Sequence, residues 1–375
     1  MATLGIIFSN LHDKNITELT RDRTMASVPY GCRYRLIDFP LSNMANAGIH
    51  HIGVITHYNY SSLMKHLTTG KEWDLARNEN GLVLLPPFVS GYSEKNNSLY
   101  STRLEALKSI SAFINDAKEE YTVMADSDVI CNIDLKDVIQ FHDEMRSDIT
   151  VVVKKKFIPR GSKATHTIVD SKDGCICEIS STTPETHGEK NVLMNITVTK
   201  TEFLKSILCH TLATGEKSFT EDVLKKGLDK YRFTSYVYKG AYFCIDSLSA
   251  FFEANLELLN GEIRKSLFHT PSRPIYTNIH YSPPTRYCNE SSVSNSLIAD
   301  GCRIDGCVKN SIIFRGVKVG KGATVENSIL FANTQIGPSS NLKFIITEKN
   351  VNISESVVLS GHIKKPFFIE KNTII

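Results

Sequence analysis

The chain has 375 residues, 41% of them hydrophobic and 22% charged, with a formal net charge of +3. This length points to two domains with an ample buried core, and the composition excludes a disordered or fibrous chain. So small a charge, with no long Lys/Arg run, excludes a nucleic-acid or anionic-membrane partner.

Met1 to Gly5 shows no charged leader segment, and no stretch approaches the ~20 apolar residues of a membrane span. The nine cysteines form no CxxC pair, and Cys175-Ile176-Cys177 is too tight for a zinc knuckle, so reduced thiols in a cytoplasmic protein are expected. Leu4 to Phe8 predicts a short strand. His51 to Thr56 predicts a second, followed by a helix over Tyr60 to Leu67. The spacing of His50, His51, His57 and His66 matches no metal motif, so structural roles are expected for them. Tyr121 to Ala125 predicts another strand, ending in Asp126-Ser127-Asp128. Asp134 to Glu144 has helical spacing, with Asp134 as N-cap. Ile149 to Val153 predicts a strand with Lys154-Lys155-Lys156 as its solvated end. This alternation argues for an α/β domain with a largely parallel sheet. In such sheets ligands gather at the carboxyl ends of strands, where Asp126 and Asp128 fall. Phe251 to Leu258 predicts a helix, and residues 270–288 read as a Pro-rich linker.

The last 85 or so residues differ in kind. Aliphatic residues recur every six positions: Ile298 and Ile304; Ile313, Val319 and Val325; Ile336 and Leu342; Ile345, Val351 and Val357. Lys309-Asn310-Ser311-Ile312-Ile313-Phe314 is echoed by Glu326-Asn327-Ser328-Ile329-Leu330-Phe331, and Ser294-Asn295-Ser296 is a looser copy. A six-residue period suits a solenoid with three flat faces per coil, roughly 18 residues to a coil and four or five coils in all. The expected division is 1–250 for the α/β domain, 251–290 for a helix and linker, and 291–375 for the solenoid.

Arg23 to Asn43, and above all Tyr34-Arg35-Leu36-Ile37-Asp38-Phe39-Pro40-Leu41-Ser42-Asn43, resembles the signature of glucose-1-phosphate adenylyltransferases (ADP-glucose pyrophosphorylases). The resemblance continues at Ser61 to Leu67, Trp73-Asp74-Leu75, Leu85-Pro86-Pro87 and Ala254 to Leu258. It implies a Rossmann-like, GT-A-like nucleotidyltransferase domain followed by a short left-handed parallel β-helix of hexapeptide repeats. In that family ATP and glucose-1-phosphate give ADP-glucose and pyrophosphate, and the protein must hold triphosphate, metal and nucleophile in line.

This sequence departs from the family where that chemistry is done. The family's Gly-Gly-x-Gly-x-Arg loop, whose bare amides approach phosphates, places its glycines at Asn10, Leu11 and Asp13 and its arginine at Asn15. A phosphate-binding lysine falls at Met25, and a sugar-phosphate lysine at Thr182. One metal aspartate is matched by Asp128, a vestigial metal position; the second falls at Cys244. Asp246 lies about 6–7 Å further along an extended segment. The base-contact motif is not recognisable around Tyr100 to Ala106. Asp38, Ser42 and Asn43 are expected to cap the following helix and hold the loop. Together these losses imply a rate deficit above about 10⁵, with no competent catalytic residue and no metal or cofactor of its own.

The resemblance is closest to the non-catalytic subunit that accompanies the enzyme in some bacteria. It implies a regulatory or stabilising role in a hetero-oligomer, a hetero-tetramer or a homo-oligomer. The catalytic subunit is then the partner, carrying the Mg²⁺, and an effector binds near the domain junction. Two alternatives stay open: a competent pyrophosphorylase with a rearranged site, and a hexapeptide-repeat acyltransferase, for which His362 is the only histidine in the repeats.

Overall fold

Short β-branched runs build one mixed sheet of nine strands in the computed structural model, which describes residues 1–77, 79–86, 100–160 and 165–375. Pro87, part of the resemblance, lies outside the described residues. The strand order is Leu82–Leu85, His51–Ile55, Thr3–Phe8, Tyr121–Asp126, Gly188–Lys200, Ile149–Ile158, Phe233–Tyr238, Cys175–Ser181 and Thr167–Lys172. The first four run parallel. Gly188–Lys200 is antiparallel to both neighbours, so the sheet is mixed rather than largely parallel. Helices cover both faces: Leu41, Leu63 and Val138 pack on one, Leu107, Ile114 and Leu204 on the other. Gly5 lets the helix Asp38–Asn46 approach the first strand, because a Cβ there would sit 2.7 Å from Met44 Sδ.

Most predicted elements stand in place. Asp134 caps Leu135–Glu144 by accepting from the Lys136 amide at 3.0 Å. The strand from Ile149 runs on through the three lysines to Ile158, and Lys154 Nζ is tied to the carbonyls of Lys239 and Gly240. Only Lys155 and Lys156 are fully solvated there.

Asp38, Ser42 and Asn43 are not caps. All three lie inside the helix Asp38–Asn46, whose first turn tolerates Pro40. Asp38 accepts from the Arg35 amide at 2.9 Å and pairs with buried His66. Asn43 bridges the carbonyl of Cys131 and the amide of Ile133. Ser42 Oγ accepts from Tyr276 N at 2.9 Å, while Asn46 and Asn132 donate to the carbonyls of Pro274 and Arg273. These bonds strap the Pro-rich segment onto the sheet domain, so it is not a free linker. The helix before it is Leu248–Leu256, and a further helix, Gly261–Phe268, precedes the strap.

Beyond the strap the chain winds into a left-handed parallel β-helix with three five-stranded faces. Ile304, Val319, Ile336 and Ile353 stack in register, as do Val308, Val325, Leu342 and Leu359. All ten aliphatic residues of the six-residue period belong to the solenoid's core. The Asn-Ser echo has a backbone cause. Asn295, Asn310 and Asn327 turn corners with φ of 41°, 47° and 47°, a conformation Asn tolerates better than most residues. Each following serine accepts from an amide one coil on: Ser296 from Ser311, Ser311 from Ser328, Ser328 from Ile345.

The solenoid meets the sheet domain through an apolar seam in which Phe251 and Phe252 pack with Phe314 and Phe331. Phe331 and Phe314 meet edge-on at 4.9 Å, and Phe251 and Phe331 at 6.1 Å. Among the described residues no helix is long and apolar enough to cross a membrane. Phe331→Ala should cost about 3–5 kcal/mol of stability, read by chemical denaturation. A loss below about 1 kcal/mol would show that the seam is not a packed core.

Candidate functional site

The strand Tyr121–Asp126 ends beside the strand Thr3–Phe8, with Asp126 in register with Phe8. Asp126 and Asp128 are both buried, with 1% and 3% of their surface exposed. The turn through Ser127 feeds the short strand Val129–Cys131, which pairs with Tyr242–Cys244 and sets Cys244 opposite Val129. Cys244 Sγ therefore lies 3.9 Å from Asp128 Oδ2.

The loop leaving the first strand passes over this acid pair. His12 Nε2 lies 3.2 Å from Asp126 Oδ2 and 3.8 Å from Asp128 Oδ2. Arg103, the first residue of the helix Arg103–Ser109, donates from Nη2 to Asp126 Oδ2 at 2.6 Å. A guanidinium at a helix N-terminus opposes the helix dipole, so Asp126 offsets an unfavourable placement. His12, Asp126 and Asp128 are the one group of three metal-capable side chains among the described residues.

The charges set one another. The two aspartates, Asp128 foremost, lift His12 to about 9 against the effect of its burial. Burial alone would raise Asp126, but Arg103 and His12 hold it below the usual carboxylate range. Burial pushes Asp128 up. Burial, reinforced by Asp128, pushes the Cys244 thiol well above its ordinary value, so it stays a thiol.

Cys244 apart, the replaced family positions are spread around this pair rather than gathered on it. Asn10, Leu11 and Asp13 line a cavity of about 1100 Å³ bounded on its far side by Glu348, Phe368 and Glu370 of the solenoid. Asn10 Oδ1 accepts from the Tyr100 hydroxyl at 3.0 Å. Asp13 does not face the acid pair, because its Oδ1 accepts from the Met25 amide at 2.8 Å. Met25 itself is 1% exposed and belongs to the apolar seam with Leu36 and Phe39. Asn15 lines a smaller cleft of about 340 Å³ together with His12, Arg103, Asp128, Cys244 and Asp246. Thr182 meets that cleft through His166, whose backbone it grips at 2.9 Å with both its amide and its hydroxyl.

The four clustered histidines act locally. His66 pairs with Asp38, His51 lies 2.7 Å from Glu119, and His57 packs edge-on against Tyr58 and Tyr100. None joins the acid pair. His12 and Arg103 do, and the sequence reading passed over both. The available signal is positional and holds for His12, which follows the strand paired with Tyr121–Asp126; Arg103 begins a helix in the connection from the outer strand Leu82–Leu85 and carries no such local signal.

Mg²⁺ demands near-octahedral oxygen ligands and keeps several waters. Here Asp126 Oδ2 already accepts from His12 and Arg103, and a thiol stands beside Asp128. These residues do not fit the ion that the resemblance implies.

Burial raises Asp13 to about 7, despite the Met25 amide and nearby His12. A carboxyl raised on folding contributes stability at low pH that is lost as pH climbs through its folded value. Asp13→Asn should therefore gain stability over the parent chain as pH rises from about 4 to about 7, reaching roughly 1–2 kcal/mol and then levelling off. Thermal melts across that range check this; a gain that shrinks with rising pH would reverse the assignment.

Residues 12–161 match the nucleotidyl transferase family, and residues 283–365 match the GlmU-like, C-terminal hexapeptide family. The chain is 33% identical over 374 residues to the glycogen biosynthesis protein GlgD of Bacillus subtilis (strain 168), covering 99% of this chain and 96% of that protein. GlgD of Geobacillus stearothermophilus is 33% identical over 371 residues, with the same two coverages. The glucose-1-phosphate adenylyltransferase of Thermosipho africanus (strain TCF52B) is 30% identical over 324 residues, 86% of this chain and 77% of that protein. A nucleotidyltransferase sheet, a hexapeptide solenoid and these full-length likenesses agree: the chain belongs to the glucose-1-phosphate adenylyltransferase family, together with the GlgD proteins.

Proposed function

We propose that this chain is a regulatory or stabilising subunit, catalytically deficient by itself, of a hetero-oligomeric glucose-1-phosphate adenylyltransferase in glycogen biosynthesis. The observation that carries the reading is the committed acid pair: Asp126 and Asp128 are engaged by His12 and Arg103. Two further placements support it. Met25, at the family's lysine position, is sunk in the apolar seam, and Asn10, Leu11 and Asp13 put side chains where the family's glycines leave backbone amides bare to phosphates. On this reading the catalytic subunit, with its Mg²⁺, carries out the transfer, in a hetero-tetramer or related oligomer. Nine free cysteines fit a cytoplasmic setting.

An effector would have a site to act through. Arg23 grips Glu348 bidentately, with side chains only 7% and 5% exposed, and so joins the Met25 loop to the solenoid. Lys349 lies in the same region, pushed down to about 8 by burial and by the nearby charges of Arg23 and Arg35. Crowded cations of this kind favour an anionic small molecule.

The competent-enzyme alternative draws on Asp246, which shares the smaller cleft with Asp128 and Cys244. Pyrophosphate release from ATP and glucose-1-phosphate separates the two. The chain alone should fall more than about 10⁵-fold below its catalytic partner, and the mixture should show an altered rate or effector response. Robust turnover by the chain alone would overturn the regulatory reading.

Asn15→Arg with Met25→Lys should not restore turnover, since Cys244 and Thr182 remain. Met25→Lys alone should cost about 3 kcal/mol by burying an unpaired ammonium, whereas Met25→Leu should cost under about 1.5 kcal/mol. Denaturation of the two variants measures this. Equal stability would show that position 25 is open to solvent.

A further inference from the structure

We infer that the guanidinium of Arg103, with the imidazole of His12 beside it, fills the cation place next to Asp126 and Asp128 and excludes a divalent metal from it. The inference deepens the regulatory reading and rests on it only in taking Asp128 as the vestigial metal position. Its added content is that the site is closed by groups this chain carries, not only weakened by groups it lacks.

At Asp126 Oδ2 the two kinds of occupancy are mutually exclusive. A metal ligated by Asp126 Oδ2 would sit about 2.1 Å from that oxygen. Arg103 Nη2 already stands 2.6 Å from the same atom, and His12 Nε2 stands 3.2 Å from it. A divalent ion there would press directly against a guanidinium. Arg103 cannot swing away cheaply. Its side chain is 11% exposed and its guanidinium lies over the Phe8 ring, with Cζ 5.3 Å from the centroid. Moving it would leave a buried charge without its partner on each side. His12 is held on the loop at the first strand's end, where the Asn15 amide donates to its carbonyl at 3.0 Å.

The origin of the two groups points the same way. His12 comes from the loop whose counterpart in the resembled family approaches phosphates. Arg103 comes from the segment Tyr100 to Ala106, where the family's base-contact motif is not recognisable. Two segments to which the resemblance gives substrate contacts in the family each supply a donor aimed at the acid pair here. The Oδ1 atoms of both aspartates are buried without a hydrogen-bond partner. The acid pair therefore keeps open coordination capacity that a cation could use once the two donors are gone.

The test uses the full chain and Mn²⁺, whose free electron-paramagnetic signal falls when it binds. The wild-type chain should leave the Mn²⁺ signal unchanged. The double variant His12→Gly/Arg103→Ala should take up one Mn²⁺ at least about tenfold more tightly than wild type, and adding Asp128→Asn should abolish that uptake. Mn²⁺ binding by the wild type that the double variant does not improve would overturn the inference. So would Mn²⁺ or Zn²⁺ binding by the wild type that His12→Gly weakens, since His12 would then be a ligand. Circular dichroism checks the variant's fold; if it does not fold, the wild-type titration decides, with silence as the expected result and uptake overturning the inference. Turnover by the wild type alone, with no Mn²⁺ uptake at this pair, would sink the regulatory reading and leave the filled site standing.

Discussion

Two carboxylates buried at the end of one strand have to be neutralised, and the site takes its form from how that is done. Asp126 and Asp128 lie in the middle of the sheet's carboxyl edge, where their mutual repulsion is poorly screened. A bound cation is one answer to that repulsion. This chain carries another, with one imidazole and one guanidinium brought in from adjacent loops. The arrangement ties the first loop to the turn after the fourth parallel strand, Tyr121–Asp126. It also makes Arg103, at a helix start where a cation is otherwise unfavourable, an element of the local structure.

A second constraint acts at the seam. The solenoid cannot end its apolar ladder in water on the side facing the sheet domain, so Phe314 and Phe331 are covered by Phe251 and Phe252. Met25 is drawn into the same cluster, and Asp13 is turned away from the acid pair to satisfy the Met25 amide. The buried Arg23–Glu348 pair then couples that loop to the last coils. Position 25 and the solenoid are thus one mechanical unit. This is the physical basis on which an event at the solenoid is transmitted to the loop at the carboxyl edge of the sheet.

Legibility followed the range of the interactions. The strands Thr3–Phe8 and Tyr121–Asp126 were plain, because short β-branched runs between polar segments have few other uses. Gly188–Lys200 was not, although it is the sheet's longest strand. Its polar Asn191 and Asn195 break the alternation, and Asn195 sits with φ of 59° where the pairing register shifts. That strand, with Cys175–Ser181 antiparallel to both its neighbours, makes the sheet mixed. Residue type predicts that Asp38, Ser42 and Asn43 cap the helix and hold the loop; Asp38 does hold the loop through the Arg35 amide, but the other partners, His66, Cys131 and Tyr276, lie far along the chain. Side chains of capping type become staples when another segment offers backbone groups nearer than the helix's own end.

The sequence by itself determined the solenoid, the order of the two architectures, and the identity of the residues at each family position from Asn10 to Cys244. Those are properties of spacing and type: a coil repeats its inward aliphatic at a fixed interval, and a missing glycine or lysine is missing whatever the fold. Only the tertiary structure decided where Met25 goes and what stands beside Asp126. His12 is separated from Asp126 by 114 residues and Arg103 by 23. They meet because the connections leaving the parallel strands Thr3–Phe8 and Leu82–Leu85 both reach the carboxyl edge of the sheet, and sheet order is set by the packing of the whole domain rather than by local periodicity.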